Sequence, residues 1–116
     1  MKSVKSGITR PVLKGGMIES ISFEGEDLSN LLSGSAYFRL VSFERAVLVK
    51  ANFIGSEFKG VSFAFADLRR ARFDATNAYD CDFRGADVRG ALLPGKPEEY
   101  AHHEGMIYDE TTEFEY

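Results

Sequence analysis

At 116 residues the chain has room for one domain and no more. Tryptophan is absent while phenylalanine is abundant, and no apolar run approaches the roughly 18 residues of a membrane span, so the sequence offers no transmembrane segment. The formal charge of −4 is a property of the C-terminal end: residues 96–116 carry Lys96 against Glu98, Glu99, Glu104, Asp109, Glu110, Glu113 and Glu115, whereas residues 21–95 are nearly neutral.

Residues 1–20 are basic, with Lys2, Lys5, Arg10 and Lys14 against Glu19. No hydrophobic stretch follows them, so no secretory signal is visible. Ile8, Leu13 and Ile18 recur at intervals of five without any other regularity, and residues 1–20 read as an N-terminal cap or partial coil.

From residue 21 to 95 the interval of five becomes a rule. Phe38, Phe43, Leu48, Phe53, Phe58, Phe63, Leu68 and Phe73 occupy every fifth place, and Phe83, Val88 and Leu93 continue the series. Two places earlier stands a small or β-branched residue, as at Ala46, Ala51, Val61, Ala66, Ala71, Cys81 and Ala86. Neither a helix of period 3.6 nor a strand of period 2 generates this pattern, so the chain is a repeat array. A unit with two inward places in five must turn a corner every time, and glycine recurs at the last place of the unit: Gly25, Gly55, Gly60, Gly85, Gly90 and Gly95. Reading at intervals of 20 aligns Phe23, Phe43, Phe63 and Phe83 in one column, which implies four sides per coil and about four coils. Two residues break the pattern. Glu26 falls on an inward place and Ser33 replaces a central apolar residue, so the first coil is expected to be distorted, open to solvent at its end, or loop-like between Ser29 and Ser35.

Ala66-Asp67-Leu68, Ala51-Asn52-Phe53, Cys81-Asp82-Phe83 and Ala86-Asp87-Val88 follow the A(D/N)LXX motif, and the chain resembles the pentapeptide repeat family on that ground, strongly over residues 36–95 and more weakly over 21–30. The resemblance implies an all-β fold: a right-handed quadrilateral β-helix solenoid with a side-chain-filled interior. It implies no single activity, because that fold serves mostly as a rigid surface.

Residues 96–116 read as an acidic C-terminal cap or tail that covers the last coil, as a solenoid end requires. Pro97-Glu98-Glu99-Tyr100 opens like a short helix, with Pro at the first position and acids in the first turn, and Gly105 is a natural stop. Gly90 to Lys96 has the GxxxxGK spacing of a phosphate-binding loop, but Pro97 stands where Ser or Thr should follow and Pro94 removes an amide. His102 and His103 lack a third ligand at metal spacing. Cys81, the single cysteine, has no internal partner and sits on an inward place, which favours a structural thiol and a reducing, cytoplasmic setting.

These eliminations leave no catalytic residues, no metal ligands and no cofactor, and the chain reads as a non-enzyme. What remains is the outer surface. Arg69 and Arg89 occupy equivalent outward places one coil apart, and Val47, Val49 and Phe65 are outward on or beside the same side. An apolar centre ringed by arginine suits a protein interface. The expected function is a rigid protein-binding or scaffold module, with a homodimer as its simplest version; neither nucleic acid nor a membrane is an expected partner. The alternative is a DNA-mimic inhibitor or protector of DNA gyrase or topoisomerase, a role known in the family. It requires long acidic columns that this nearly neutral repeat body lacks.

Overall fold

The computed structural model describes residues 16–78 and 80–115; most of the expected N-terminal cap, including Ile8 and Leu13, lies outside them. Each five-residue unit places its first and third side chains inward, which buries the intervening backbone and leaves its polar groups to be satisfied by the next coil. They are satisfied by parallel pairing with the unit 20 residues away. Strands β1 (Met17–Glu19), β2 (Tyr37–Arg39) and β3 (Glu57–Lys59) form one parallel sheet in that order. Strands β4 (Leu92–Pro94) and β5 (Glu113–Glu115) form another.

Single bridges carry the same pairing along the other units, through Ser22, Ser42, Ser62, Asp82 and His102, and through Asp27, Val47, Asp67, Asp87 and Ile107. The chain is thus a β-helix-like solenoid without an α-helix among the described residues.

The interior follows from the columns. Phe23, Phe43, Phe63 and Phe83 stack with centroids 5.2–5.3 Å apart and rings within 13° of parallel. Phe38 stacks on Phe58 and Phe53 on Phe73, and the neighbouring stacks meet edge to face. Alternating stacked and edge contacts suit the ring quadrupole. Alanines 46, 66 and 86, and 51, 71 and 91, are fully buried between the larger columns.

The corners depart from the glycine rule. Among the described residues nine non-glycine residues, including Leu40, Arg45, Phe65 and Arg70, also hold positive φ at the fifth place, at a cost of roughly 1–2 kcal/mol each that the ladder and core offset. Glycine is needed where a side chain from the coil below lies across the corner. The Phe65 ring lies over Gly85 in the space a Cβ would occupy, so the exposed aromatic and the glycine 20 residues later belong to one device.

Residues 29–35 are not a loop. Leu32 bridges Asn52, and the amides of Ser33 and Ser35 reach the carbonyls of Asn52 and Ile54 at 2.9 and 3.0 Å. Backbone pairing does not depend on the missing apolar side chain. Ser33 is fully buried, its hydroxyl unpartnered among the described residues, and its carbonyl accepts the Ser56 hydroxyl. Glu26 is only partly buried, and its carbonyl accepts from Val47 in the regular ladder, so the coil accommodates it without distortion.

The backbone also continues past residue 95. A 3-10 helix covers only Pro97–Glu99, and Tyr100 is already extended. His102 then pairs with Asp82 and Ile107 with Asp87. Gly105, at φ +76, is a coil corner above Gly85 rather than a helix stop. Tyr100 closes the phenylalanine column edge to face on Phe83 at 5.1 Å, with its hydroxyl donating to the Pro94 carbonyl. One extra residue enters before β5, which pairs Leu92 with Glu113, 21 positions on.

Candidate functional site

The pairing register fixes where the five candidate residues stand. Val47 is a bridge residue between Asp27 and Asp67. Val49, Arg69 and Arg89 form the next column, because the amides of Lys50 and Arg70 donate to the carbonyls of Arg69 and Arg89 at 2.9 and 3.0 Å. Val49, Arg69 and Arg89 line one open groove of about 750 Å³, together with Arg70, Gly90, Asp109 and Thr111. Val47 lies one column away from this groove. Phe65 does not line it: the residue sits on the preceding corner, 56% exposed, with the Arg45 guanidinium 5.2 Å from its ring centroid.

The arginines are not a bare basic patch. Asp67, Asp82 and Asp87 of the repeat motif each lie two residues before an arginine, on the same side of the unit, and each pair closes into a fork. Arg69 donates from Nε and Nη2 to Asp67 at 2.8 and 2.7 Å, and Arg89 does the same to Asp87 at 2.9 and 2.6 Å. Arg84 and Asp82 repeat it, and Arg72 with Asp74 form the mirror order. The aspartates also accept the amide of their own arginine, an Asx-type turn that rigidifies the corner.

The electrostatics follow the geometry. The hydrogen bond from Arg89, set against partial burial, holds the Asp87 carboxyl below its ordinary range. Burial pushes Asp82 up, but the bonds from Arg84 outweigh it and leave the group lowered. The guanidiniums of Arg69 and Arg89 are correspondingly raised by their aspartates. Burial drives the Cys81 thiol up, which leaves it a core group rather than a nucleophile. Gly90 and Gly95, the ends of the GxxxxGK spacing, stand at coil corners, at φ +75 and +74. His103 Nδ1 lies 3.0 Å from the Tyr100 carbonyl, inside the tail's own turn.

Asp109, Thr111 and Gly90 are the groove residues that sequence reasoning missed. The tail was expected to be a lid, so nothing aligned Asp109 with Arg89. The available signal was His103 and Tyr108, which keep the five-residue phase past Leu93.

A family model described as pentapeptide repeats, in eight copies, matches residues 36–74 and 56–95. No curated protein matches the chain significantly. Among solved structures, a pentapeptide repeat protein from the Arabidopsis thaliana thylakoid lumen is 24% identical with a TM-score of 0.66, over 78% of this chain and 60% of that one. HetL, a pentapeptide repeat protein involved in heterocyst differentiation regulation in the cyanobacterium Nostoc sp. strain PCC 7120, is 20% identical over 72% of this chain and 40% of its own, with a TM-score of 0.47. QnrB1, a plasmid-mediated fluoroquinolone resistance protein, is 12% identical over 87% of this chain and 93% of its own, with a TM-score of 0.40. The first of these likenesses is one of fold, and this chain spans about 60% of that structure's length. With the family match reaching from residue 36 to residue 95, more than half its length, the chain belongs to the pentapeptide repeat family.

Proposed function

We propose that this chain is a non-catalytic binding module, a rigid right-handed, four-sided β-helix that engages a protein partner through the side bearing Val47, Val49, Phe65, Arg69 and Arg89. The observation that carries the reading is the pair of Asp–Arg forks beside Val49, Asp67 with Arg69 and Asp87 with Arg89, which hold two guanidiniums in fixed orientation next to an apolar side chain. Preorganised arginine around an apolar centre lowers the ordering cost of association. A second copy of the chain is the simplest partner, because a two-fold pairing needs one self-complementary side. Unpaired, buried Cys81 is compatible with a reducing cytoplasm.

Duplex DNA mimicry has less support. It calls for uninterrupted negative columns, and here Asp67, Asp82 and Asp87 are each neutralised by an arginine two residues on.

The test is Val49→Glu, which places a charge beside Asp109 without touching the core. Capture of partners from a host lysate, together with sedimentation of the purified chain, is expected to lose the specific partner or the dimer while the melting temperature is retained. A variant that keeps every partner would reject this side as the interface. Protection of a gyrase–DNA complex from a quinolone by the wild-type chain would favour mimicry instead.

A further inference from the structure

One rung is missing from the ladder that builds the groove. Along this corner the amide of Asn30 donates to the Val49 carbonyl, Lys50 to Arg69, and Arg70 to Arg89. The next rung, Gly90 to Asp109, is absent. The extra residue before β5 widens the turn, and the Asp109 carbonyl instead accepts the Thr112 amide at 3.0 Å. Among the described residues the Gly90 amide has no acceptor. Gly90 has only a hydrogen where a Cβ would come within 3.1 Å of Arg70 Cγ and 3.8 Å of Thr111 Oγ1. The result is a bare backbone donor at the bottom of a cradle, between the side chain of one coil and the hydroxyl of another.

The groove around that donor is rich in unused N–H groups. Each guanidinium has five, and among the described residues Arg69 and Arg89 use only Nε and one Nη2 hydrogen, on their aspartates. Arg70 has no ion pair or side-chain hydrogen bond among the described residues. Asp109, the acid in the lining, is turned back on its own turn and accepts from both the amide and the hydroxyl of Thr111. We propose that this groove is an oxyanion site that takes the carboxylates of an acidic peptide segment of the partner. Gly90 N–H and Arg70 would form its centre and the outer edges of Arg69 and Arg89 its two flanks. The proposal rests on the protein-binding reading above and names the chemistry of the partner.

An extended acidic chain fits better than a lone anion for two reasons. Arg69 and Arg89 stand on successive coils, about 4.8 Å apart in a parallel ladder, so with Arg70 they offer a row of donors along the axis that a chain carrying several carboxylates engages more fully than a single anion. Val49 forms part of the same lining, and an apolar wall contacts the methylenes of a glutamate but offers a free phosphate nothing.

The test is titration of hexaglutamate, hexaglutamine and inorganic phosphate into the full chain, followed by amide NMR. Saturable displacement of the Gly90 amide by hexaglutamate alone is expected. Arg70→Gln should weaken binding by roughly tenfold, the loss of one charge-assisted hydrogen bond, and Gly90→Ala should weaken it by filling the cradle. Should Gly90→Ala lose its melting transition, Arg70→Gln decides alone, because an exposed side chain is not needed for folding.

Hexaglutamate that leaves Gly90 unmoved, or that binds Arg70→Gln as tightly as wild type, overturns the proposal. So does phosphate binding as strong as the peptide's, which would make the groove a small-anion site. The outcome is separable from the scaffold reading. If Val49→Glu abolishes partner capture while hexaglutamate fails to bind wild type, the interface stands and its acidic-peptide chemistry falls.

Discussion

Phe63 and Arg84 occupy the two extremes of environment within neighbouring coils. Phe63 is fully buried, stacked between Phe43 and Phe83 at 5.2 and 5.3 Å, and the rings above and below cannot collapse into the space it would leave because the backbone ladder fixes the coil spacing. Phe63→Ala should therefore cost roughly 3–5 kcal/mol, the range for a large aromatic cavity, read as the shift in urea midpoint multiplied by m. Arg84 is exposed and its side chain is bonded, among the described residues, only to Asp82, and surface ion pairs are worth little. Arg84→Ala should cost less than about 1 kcal/mol. Equal shifts at the two positions would contradict the inward and outward assignment. Gly85 is the less obvious residue: any side chain there meets the Phe65 ring, so the exposed Phe65 acts on its own corner as well as being offered to a partner.

At the level of the unit, the Asp–x–Arg fork makes stability depend on pH in a defined direction. Asp82 and Asp87 are both held below the ordinary carboxyl value of 3.8. A carboxylate lowered in the folded state contributes stability that is fully present above its unfolded pKa and is lost as pH falls through the folded one. Wild type should keep its full melting temperature at neutral pH and lose it progressively below about pH 4. The double variant Asp82→Asn, Asp87→Asn should start lower at pH 7 and decline less steeply in that window. Parallel wild-type and variant profiles between pH 5 and 2 would assign the acid sensitivity to other groups. The forks also show where sequence reading reaches and where it stops. Phase five and interval 20 could be read from Phe43, Phe63 and Phe83 because the core imposes them on side-chain size. The pairing of Asp87 with Arg89 is not legible in the same way, since side-chain direction at a turn is set by φ of residues that no size pattern reveals. Ser33 and Glu26 misled for the opposite reason: they are side-chain exceptions in a coil whose integrity rests on backbone hydrogen bonds.

For the whole molecule, the decisive region is the chain after Gly95. Sequence reading took it for a lid because its five-residue phase is carried by His103 and Tyr108 rather than by phenylalanine, and because one inserted residue shifts Phe114 to an interval of 21 from Leu93. In the structure it covers the column ends as a further turn of the same path. Tyr100 is buried on Phe83, Met106 is buried above Ala86, and β5 supplies the only strand partner of β4 among the described residues. Truncation after Gly95 would therefore remove Tyr100 from Phe83 and uncover Val88 and Leu93, both fully buried in the full chain. It would also strip the carbonyls that accept from Phe83, Gly85 and Val88. Solenoid ends with exposed apolar layers and open strand edges associate, so the truncated chain should melt well below the full chain and sediment as aggregates. The acidic charge of residues 96–116 tells the same story from the solvent side, since Glu104, Glu113 and Glu115 are exposed on the coil that carries the free edge and charged edges discourage strand addition. A truncation that stays monomeric at an unchanged melting temperature would mean that residues 97–115 contribute neither packing nor edge protection, and the groove at Gly90 would then lose its upper wall without consequence for the fold.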